Sequence, residues 1–488
     1  MRLQDARSHR HRTPSGNARR GGFVAHFKED RMLRHHRSAR ALTAVAAAAA
    51  IGASGCAGSS VSTKPAAAPT DVGTSCGKYG TVKLTVGMSE AGEAIANGFK
   101  EQVKSFQAAN KNVTIDLQIK DWASSASTIK LVMSGNNPPD VMQGNSGWAI
   151  NGALWKAGLL LNLDPYAKAF GWGEKFPESA LTVNKFTADG KALGEGNLVA
   201  VPPAIQYVGV FYNKAVLSKL GIDPATLDDK AAFVQALDKA KAAGVTPVML
   251  GDSEKWPALH NLSLFNGWYV APDAINNWVY NKPGSTYDDD GHLKGSTDFR
   301  TWMEKGYFNS DALASSFTDA TNRFGKGQSA FFVTGSWALG DVGKALGDNA
   351  GFMLFPAGDS GKHAAVGGYS LPFSISAKTK YPDCAAAFID YVTAGDEAIA
   401  AQIAAGRPSA TKAGVNAKID DPLLKQMVTA YERLSSENGL FTWEDWPTPT
   451  MLTFQGAEAQ RLLSGEITPK QYNESVQKNW ADYMKTRS

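Results

Sequence analysis

Strand and helix patterns alternate near the start of the folded chain, and this alternation limits the fold more than any other feature. Residues 82–86 have a two-residue apolar period, which predicts a strand, and residues 93–109 have apolar side chains at spacings of three and four, which predicts a helix. A second strand, a second helix and a short apolar run follow, at 113–119, 124–134 and 141–142. This succession predicts parallel βαβ units and a doubly wound α/β domain.

The same order returns later in the chain. Thr226 to Asp229 resembles a capping box before a helix that stops at Gly244, and a strand is predicted at 247–250. We interpret Tyr287 to Gly291 as a solvated hairpin turn. Further strands are predicted at 331–333, 352–355 and 373–376, a helix capped by Asp383 before Gly395, and an amphipathic helical tail from about Pro447.

Residues 1–55 have the layout of a bacterial lipoprotein export signal. Arginines precede an apolar run over 41–53, and the small residues Ser54 and Gly55 stand before Cys56. The run is shorter than the roughly 20 residues that a membrane span needs. We expect cleavage before Cys56 and acylation of its thiol, with Met32 as the true start. Position 53 carries Ala where such boxes more often carry Leu, so an ordinary secretory signal stays open.

Removal of the signal changes the charge of the protein. Residues 1–55 hold 11 Lys and Arg against 3 Asp and Glu, so the net charge changes from +4 to −4. A mildly acidic protein is a poor partner for nucleic acid, which needs a basic face. Residues 56–77 are rich in Ser, Pro, Ala, Thr and Gly, which predicts a flexible tether, and the remainder is long enough for two domains. Beyond its anchor we expect the chain to be soluble.

Two cysteines, Cys76 and Cys384, remain besides Cys56. Outside the cytoplasm an isolated pair is free to oxidise to a disulfide. Two separately buried thiols, each acting as a small apolar side chain, are the alternative.

Enzyme and metal-site motifs are nearly absent from the sequence. Ser127 to Lys130 fits S-x-x-K, but the partner motifs of the penicillin-recognising enzymes are missing. The mature histidines have no metal-ligand spacing, and the acids at 288–290 are consecutive rather than alternate as in a calcium loop. Glu444 and Asp445 are adjacent in sequence, and adjacent side chains rarely face one another across a glycosidic bond as a hydrolase requires. We therefore expect neither an enzyme, nor a cofactor, nor a metal.

Six motifs in order resemble the family 1 extracellular solute-binding proteins, the carbohydrate receptors of ABC importers. The longest reads Val-Ala-Val-Pro-Pro-Ala-Ile-Gln-Tyr-Val-Gly-Val-Phe-Tyr-Asn-Lys over 199–214. The others are Pro138 to Val141 with 157–164, Gly244 to Val248 with Trp256, Ser329 to Trp337, Gly367 to Ser370 with 373–376, and Gly406 to Ser409. The resemblance runs from about residue 80 to the C-terminus.

The resemblance implies a two-lobed periplasmic-binding-protein-like fold, in which two doubly wound α/β lobes are joined by a hinge of several segments. The first lobe takes 78–203 and 370–430, and the second takes 204–366 and 431–488. Cys76 and Cys384 then share the first lobe, which favours the disulfide. The implied protein is a monomer held on the extracytoplasmic face of the cell membrane, with a sugar as ligand and ABC permease subunits as partners.

A sugar needs aromatic platforms for its C–H faces and polar side chains for its hydroxyls. Trp337, after one predicted strand and before a helix, is the leading platform, with a core Trp as the alternative. Gln206 and Tyr207 lie where the family's first crossing meets ligand, and Gly368 and Tyr369 lie at its second. Other candidates follow strand ends or form an aromatic and acidic cluster: Glu90, Asn145, Ser146, Trp148, Glu254, Trp256, Trp443, Asp445 and Trp446.

Other ligand classes make different demands on such a site. A polyamine would need several carboxylates, and an anion would need arginines or helix N-termini. The candidates are mostly aromatic and neutral, which favours a sugar. A secreted glycan hydrolase is the alternative from another class, although no recognisable acid pair supports it.

The lipid anchor can be tested directly. Because the thiol of Cys56 is the expected acylation site, Cys56→Ser should release the protein into the medium or leave it uncleaved. Mass spectrometry of the mature wild-type protein should find an acylated Cys56 at a blocked N-terminus. A free N-terminus at any other residue would contradict the anchor.

Overall fold

Strands and helices alternate along most of the computed structural model, which describes residues 69–415 and 417–487. The strands are β1 (Val82–Met88), β2 (Val113–Ile119), β3 (Val141–Gln143), β4 (Lys185–Phe186), β5 (Asn197–Leu198), β6 (Ala200–Val201), β7 (Gln206–Asn213), β8 (Thr246–Met249), β9 (Ser329–Gly335), β10 (Ala350–Met353), β11 (Ala365–Gly368), β12 (Phe373–Ile375) and β13 (Leu440–Phe441). The export signal and Cys56 lie outside the described residues.

The α-helices vary from one turn to about five. They are α1 (Glu93–Ala109), α2 (Trp122–Ser134), α3 (Ala153–Lys156), α4 (Asp164–Phe170), α5 (Trp172–Lys175), α6 (Glu178–Thr182), α7 (Lys214–Leu220), α8 (Lys230–Ala242), α9 (Trp256–Gly267), α10 (Pro272–Val279), α11 (Asp290–Glu304), α12 (Phe317–Gly325), α13 (Leu339–Leu346), α14 (Pro382–Thr393), α15 (Asp396–Ala404), α16 (Lys412–Val415), α17 (Pro422–Ser436), α18 (Met451–Ser464) and α19 (Pro469–Lys485). A π-helical turn, Trp148–Gly152, precedes α3.

The first sheet has the strand order β2-β1-β3-β12-β6. Strand β1 pairs in parallel with β2 and with β3, so Val86 lies opposite both Leu117 and Val141. Helices α1 and α2 make the two connections, as the alternating pattern predicts. Along β1 the side chains of Val82 and Leu84 are buried and that of Lys83 is exposed. The predicted α/β class is confirmed. Each connecting helix carries the chain back along the sheet, so that the next strand runs parallel to the one before it.

The second sheet has the order β13-β11-β7-β9-β8, and β10 also pairs with β7. Every residue of β7 and of β9 is buried. Burial on both faces requires helices on both sides of the sheet, and it explains why these strands have nearly continuous apolar sequences. Two sheets, each with its own helices, give the fold its two lobes.

The chain passes between the two sheets at neighbouring points. It leaves β6 of the first sheet at Val201 and enters β7 of the second at Gln206. It returns between β11, which ends at Gly368, and β12, which starts at Phe373. A third segment lies against the first crossing, where the amide of Ile205 donates to the carbonyl of Pro408 at 3.0 Å. The crossings place residues from distant parts of the sequence in one interlobe region.

Helix α17 packs with the second sheet. The Tyr207 hydroxyl on β7 donates to the Met427 carbonyl at 2.5 Å. The amide of Phe352 on β10 donates to Gln426 Oε1 at 3.0 Å. These contacts lie before residue 430, where the sequence placed the lobe boundary. We therefore propose a boundary close to residue 421, at the start of α17.

Three local predictions are wrong. Asp229 alone caps α8 through the amide of Ala232, while Thr226 ends a separate 3-10 turn. Asp383 lies inside α14, where its carboxylate accepts the Tyr166 hydroxyl at 2.7 Å instead of capping the helix. The acids before Gly291 begin α11, with Asp289 as its N-cap, and form no hairpin. In each case a short acidic segment fits several local structures, and tertiary contacts select one.

In the described ranges 69–415 and 417–487, each helix is too short or too polar to cross a lipid bilayer.

The structure joins Cys76 and Cys384 by a disulfide, 308 residues apart in sequence. Both residues are buried, and the bridge ties the segment before β1 to the first turn of α14. The last residues of the tether predicted at 56–77 are thus attached to the first lobe.

Reduction of this disulfide should destabilise the protein. The bridge restricts the unfolded chain, so its loss should lower the free energy of unfolding by about 2–4 kcal/mol. Denaturant unfolding with and without a reductant measures the difference. In the control variant Cys76→Ala/Cys384→Ala the reductant should have no effect, and an equal midpoint for oxidised and reduced wild type would contradict the prediction.

Candidate functional site

The register of β7 determines which candidate residues meet. Val208 on β7 pairs with Gly335 at the end of β9, two residues before Trp337. Gln206, at the start of β7, pairs with Gly368 at the end of β11. The two antiparallel pairings therefore bring Gln206, Gly368 and the segment carrying Trp337 to one edge of the second sheet.

Three predicted tryptophans and a histidine form one aromatic group, which we call the indole cluster: Trp256, His260, Trp337 and Trp443. The ring centroid of Trp337 lies 5.7 Å from that of Trp256 and 6.0 Å from that of Trp443. The His260 ring lies 4.6 Å from Trp443 and 5.7 Å from Trp337. Residues from α9, from the turn after β9 and from the segment after β13 thus form a continuous aromatic wall.

Local sequence explains how these rings come together. Trp256 and His260 are four residues apart at the start of α9, so they lie on one face of that helix. The Trp337 ring lies over the backbone of Gly335, where a Cβ atom would stand 2.0 Å from Cζ3 of the indole. Any larger residue at position 335 would displace the ring, so a glycine before Trp337 is a steric requirement.

Several polar atoms in and beside the indole cluster are buried without a hydrogen-bond partner. Such an atom is costly to bury unless a ligand or water satisfies it. They are Trp337 Nε1, Trp443 Nε1, Trp446 Nε1, His260 Nδ1, Asp445 Oδ1, Ser336 Oγ and Asn145 Oδ1. The region thus offers indole N–H donors and carboxyl and amide acceptors next to apolar aromatic faces.

A second group of polar side chains surrounds Glu90. Its Oε1 accepts from Arg407 Nη1 at 2.6 Å and from Gln206 Nε2 at 3.0 Å. Its Oε2 accepts from Gln143 Nε2 at 2.7 Å. The Ser370 hydroxyl donates to Gln206 Oε1 at 2.5 Å. The buried charge of Glu90 is therefore paired and hydrogen-bonded, and the network ties both crossings to β1 and β3.

The loop after β3 connects this network to the segment 443–446. The Ser146 hydroxyl lies 2.6 Å from Asn184 Oδ1 and 3.1 Å from the carbonyl of Tyr369. The amide of Trp148 donates to the carbonyl of Trp446 at 2.9 Å. A Cβ on Gly147 would stand 2.4 Å from Trp446 Cγ. Asn145, Ser146, Tyr369 and Trp446 therefore lie at the contact between the lobes.

Three predicted residues have other surroundings. Tyr207 is fully buried on the face of β7 opposite Gln206, because neighbouring strand residues point to opposite faces. Trp148 lies in the hydrophobic core, 5.2 Å from the ring of Phe186. Glu254 accepts the amide of Phe317 at 3.1 Å and so holds the start of α12. The Phe317 ring lies 4.8 Å from Trp256, so Glu254 supports the cluster from outside.

Burial controls the charges inside the site. It raises the pKa of Asp445 to about 7, with the adjacent Glu444 charge adding to the effect. It lowers the pKa of His260 to about 3, so this ring is neutral near pH 7. The indole cluster is therefore aromatic and uncharged near pH 7, and the adjacent carboxyl of Asp445 titrates close to neutrality.

Sequence reasoning missed three residues that shape the site. His260 belongs to the cluster, and its position one helical turn after Trp256 could have indicated this. Arg407 lies in the motif Gly406 to Ser409, which was noted without a role for its cation. Glu444 was considered only as half of an acid pair, although it is buried next to Trp443.

Two cavities lie away from the indole cluster, and none of its four residues lines either of them. One of about 250 Å³ lies between the start of α1 and α13, and one of about 420 Å³ lies between α17 and β10. In the described residues, no group of three or more His, Cys, Asp or Glu side chains is arranged to hold a metal ion.

Comparison with known proteins gives the family. The model of the bacterial extracellular solute-binding proteins matches residues 88–399. The chain belongs to this family. Its members are binding proteins rather than enzymes, which agrees with the absence of enzyme motifs from the sequence.

Curated relatives share part of the chain. A multiple sugar-binding protein of Streptococcus mutans is 28% identical over 257 residues, which cover 50% of this chain and 60% of that protein. A probable sugar-binding periplasmic protein of Mesorhizobium japonicum is 30% identical over 52% of this chain and 57% of its own length. An uncharacterized ABC transporter extracellular-binding protein of Pyrococcus horikoshii is 25% identical, over 63% and 65%. The alignments thus span about 60% of these relatives.

Solved structures show the same two-lobed fold. A chitin oligosaccharide binding protein superposes with a TM-score of 0.72 at 23% identity, covering 83% of this chain and 99% of its own. A maltose-bound protein of T. maritima gives 0.68 at 17% identity, over 82% and 100%. A raffinose complex gives 0.66 at 18% identity, over 83% and 100%. The predicted fold and family are confirmed.

Replacement of Asp445 should change the pH dependence of stability. The pKa of an unfolded Asp is about 4, whereas the pKa of Asp445 in the folded protein is about 7. The stability that its protonated form contributes is therefore complete below pH ~4 and is lost as the pH rises through about 7. Between pH 4 and 8 the wild type should lose more unfolding free energy than Asp445→Asn, as measured by urea unfolding.

Asp116→Asn, a change at an exposed carboxyl on β2, is the matched control. Its stability should run parallel to that of the wild type over the same pH range. If Asp445→Asn also runs parallel, the folded pKa of Asp445 is not raised.

Proposed function

We propose that this protein is the extracytoplasmic substrate-binding protein of an ABC importer. It binds a sugar or oligosaccharide between its lobes and presents it to the permease subunits when the lobes close. The protein is a monomer, and acylation of Cys56 anchors it to the outer face of the cell membrane.

The observation that carries the proposal is the indole cluster with its unpartnered polar atoms. A sugar ring has apolar C–H faces and a rim of hydroxyls, so it needs an aromatic surface beside hydrogen-bond donors and acceptors. Trp337 and Trp443 combine a ring face with a free N–H, and Asp445 and Asn145 add free acceptor oxygens.

The electrostatics favour a neutral ligand over a polyamine or an anion. A polyamine requires several unpaired carboxylates, but Glu90 contacts Arg407 at 2.6 Å and also accepts from two glutamines, and burial of Asp445 favours its neutral form. An anion requires a free cation, and the same contact occupies Arg407. The paired charges contribute order to the hinge, which leaves uncharged groups to contact ligand.

The comparisons support this ligand class. Curated relatives have names that describe sugar binding, one solved structure with the same fold is described as a chitin oligosaccharide binding protein, and two others are complexes with maltose or raffinose. Import through a permease is supported by the ABC transporter relative.

Contacts across the cleft support closure as the mechanism. The Nζ atom of Lys344, on α13 of the second lobe, lies 2.7 Å from Oε2 of Glu93, at the start of α1 in the first lobe. A Cβ on Gly340 would stand 2.7 Å from the Cβ of Ala94, so these helices touch closely. A ligand that contacts both lobes favours the closed arrangement by the difference in its affinity for the two states.

Removal of the Trp337 indole should weaken sugar binding. A thermal-shift screen of a sugar panel first identifies a ligand, since a ligand that binds only the folded state raises the melting temperature. Trp337→Ala should then weaken its binding by about 2–4 kcal/mol, as expected for a central aromatic contact. Calorimetric titration of wild type and variant measures the loss.

Trp172→Ala is the matched control, because Trp172 is fully buried in the first lobe and donates to Asp390 at 2.8 Å. This variant should lose about 3–5 kcal/mol of folding stability and keep its affinity for the sugar. Unchanged affinity in folded Trp337→Ala would remove Trp337 from the site. Absence of any binding across the panel would argue against a sugar as ligand.

A further inference from the structure

Glu444 is a buried carboxylate between two residues of the candidate site. Glu444 is 1% exposed, and its carboxylate contacts Asn266 on α9 and His292 on α11. Its two oxygens share the amide of Asn266, at 3.1 and 3.2 Å. One neutral donor does not compensate a buried negative charge, which requires a cation or a proton.

The imidazole ring of His292 on α11 faces this carboxylate. Its Nε2 lies 3.7 Å from Glu444 Oε1 and has no hydrogen-bond partner. Its Nδ1 lies 2.8 Å from Asp289 Oδ2. A protonated imidazole between the two acids gives each a charged neighbour, whereas a neutral imidazole leaves Glu444 uncompensated.

Other groups around His292 are consistent with a cationic ring. The ring of Tyr287 lies 4.1 Å from it, and the Tyr287 hydroxyl accepts from Asn266 at 2.8 Å. Tyr472 on α19 lies 6.3 Å from Tyr287, and neither phenol ionises near neutral pH, because burial raises the pKa of both. Burial lowers the pKa of His292, but Asp289 and Glu444 outweigh it and keep this pKa above the ordinary value.

We propose that His292 is a positioning residue for the ligand site, and that its protonated ring holds Glu444 and thereby the segment 443–446 in place. This inference rests on the proposed sugar-binding function. His292 contacts no ligand. It acts through Glu444 on the two neighbours of that residue, Trp443 and Asp445, which line the site.

The arrangement makes ligand affinity depend on pH. When His292 loses its proton, the buried Glu444 carboxyl loses its cationic neighbour, and movement of the segment 443–446 relieves the cost. The Trp443 ring then shifts from its place 6.0 Å from Trp337. The affinity for the sugar should fall at high pH even though no ligand-contacting group except Asp445 titrates there.

Affinity measured by calorimetric titration between pH 6 and 9 tests the proposal. The wild type should bind its sugar about tenfold more weakly at pH 9 than at pH 6, which corresponds to one pKa unit of coupling. His292→Gln should bind weakly throughout, because Glu444 stays uncompensated. His292→Gln/Glu444→Gln should regain the affinity of the wild type at pH 6. Any pH dependence that His292→Gln keeps belongs to Asp445.

A second measurement needs no ligand. Hydrogen exchange of peptides covering 440–448, compared at one pH below neutrality, should be at least about tenfold faster in His292→Gln than in the wild type, and the double variant should return to the wild-type rate. If His292→Gln does not fold, Glu444→Gln replaces it, and this variant should lose less affinity between pH 6 and pH 9 than the wild type does.

The two measurements separate the possible failures. Absence of sugar binding by wild type at every pH would argue against the proposed function, and the exchange comparison would still test the network. Equal pH dependence in wild type and His292→Gln, or unchanged exchange of 440–448, would overturn the role of His292.

Discussion

The backbone pairing of β7 is the constraint on which the proposed ligand site depends. On one side its register with β9 places Trp337 at the edge of the second sheet, and on the other its register with β11 places Gly368 beside Gln206. A shift of one residue would turn Gln206 into the core and Tyr207 out of it. The apolar side chains of β7 prevent this, because each one is buried where it lies.

Several charged groups around the proposed site are paired with one another, and the surface that we propose to face the ligand is mainly aromatic. Arg407 pairs with Glu90 at the crossings, and His292 lies between Asp289 and Glu444 behind the segment 443–446. Buried ion pairs of this kind add little net stability, but they specify one arrangement of the chain. Precise placement of rings from different segments requires such specification.

Much of the fold could be predicted from the sequence, because it depends on local periodicity. Helix α1 has the predicted bounds Glu93–Ala109, and β2 the predicted bounds Val113–Ile119. Local acidic motifs were less reliable, as the segment before Gly291 illustrates. It is compatible with a turn or a helix cap, and the contact of Asp289 with His292 favours the cap.

The sequence by itself determined the α/β class and the family, because period and ordered motifs are properties of neighbouring residues. Tertiary structure decided which of the candidate site residues meet. Trp256, Trp337 and Trp443 come from three segments, and only the strand register and the packing of α9 bring their rings within about 6 Å. Tyr207 and Trp148 look equally suitable in sequence, but the pleat of β7 and the core around Phe186 turn them away. Side-chain direction depends on long-range pairing, which no local pattern encodes.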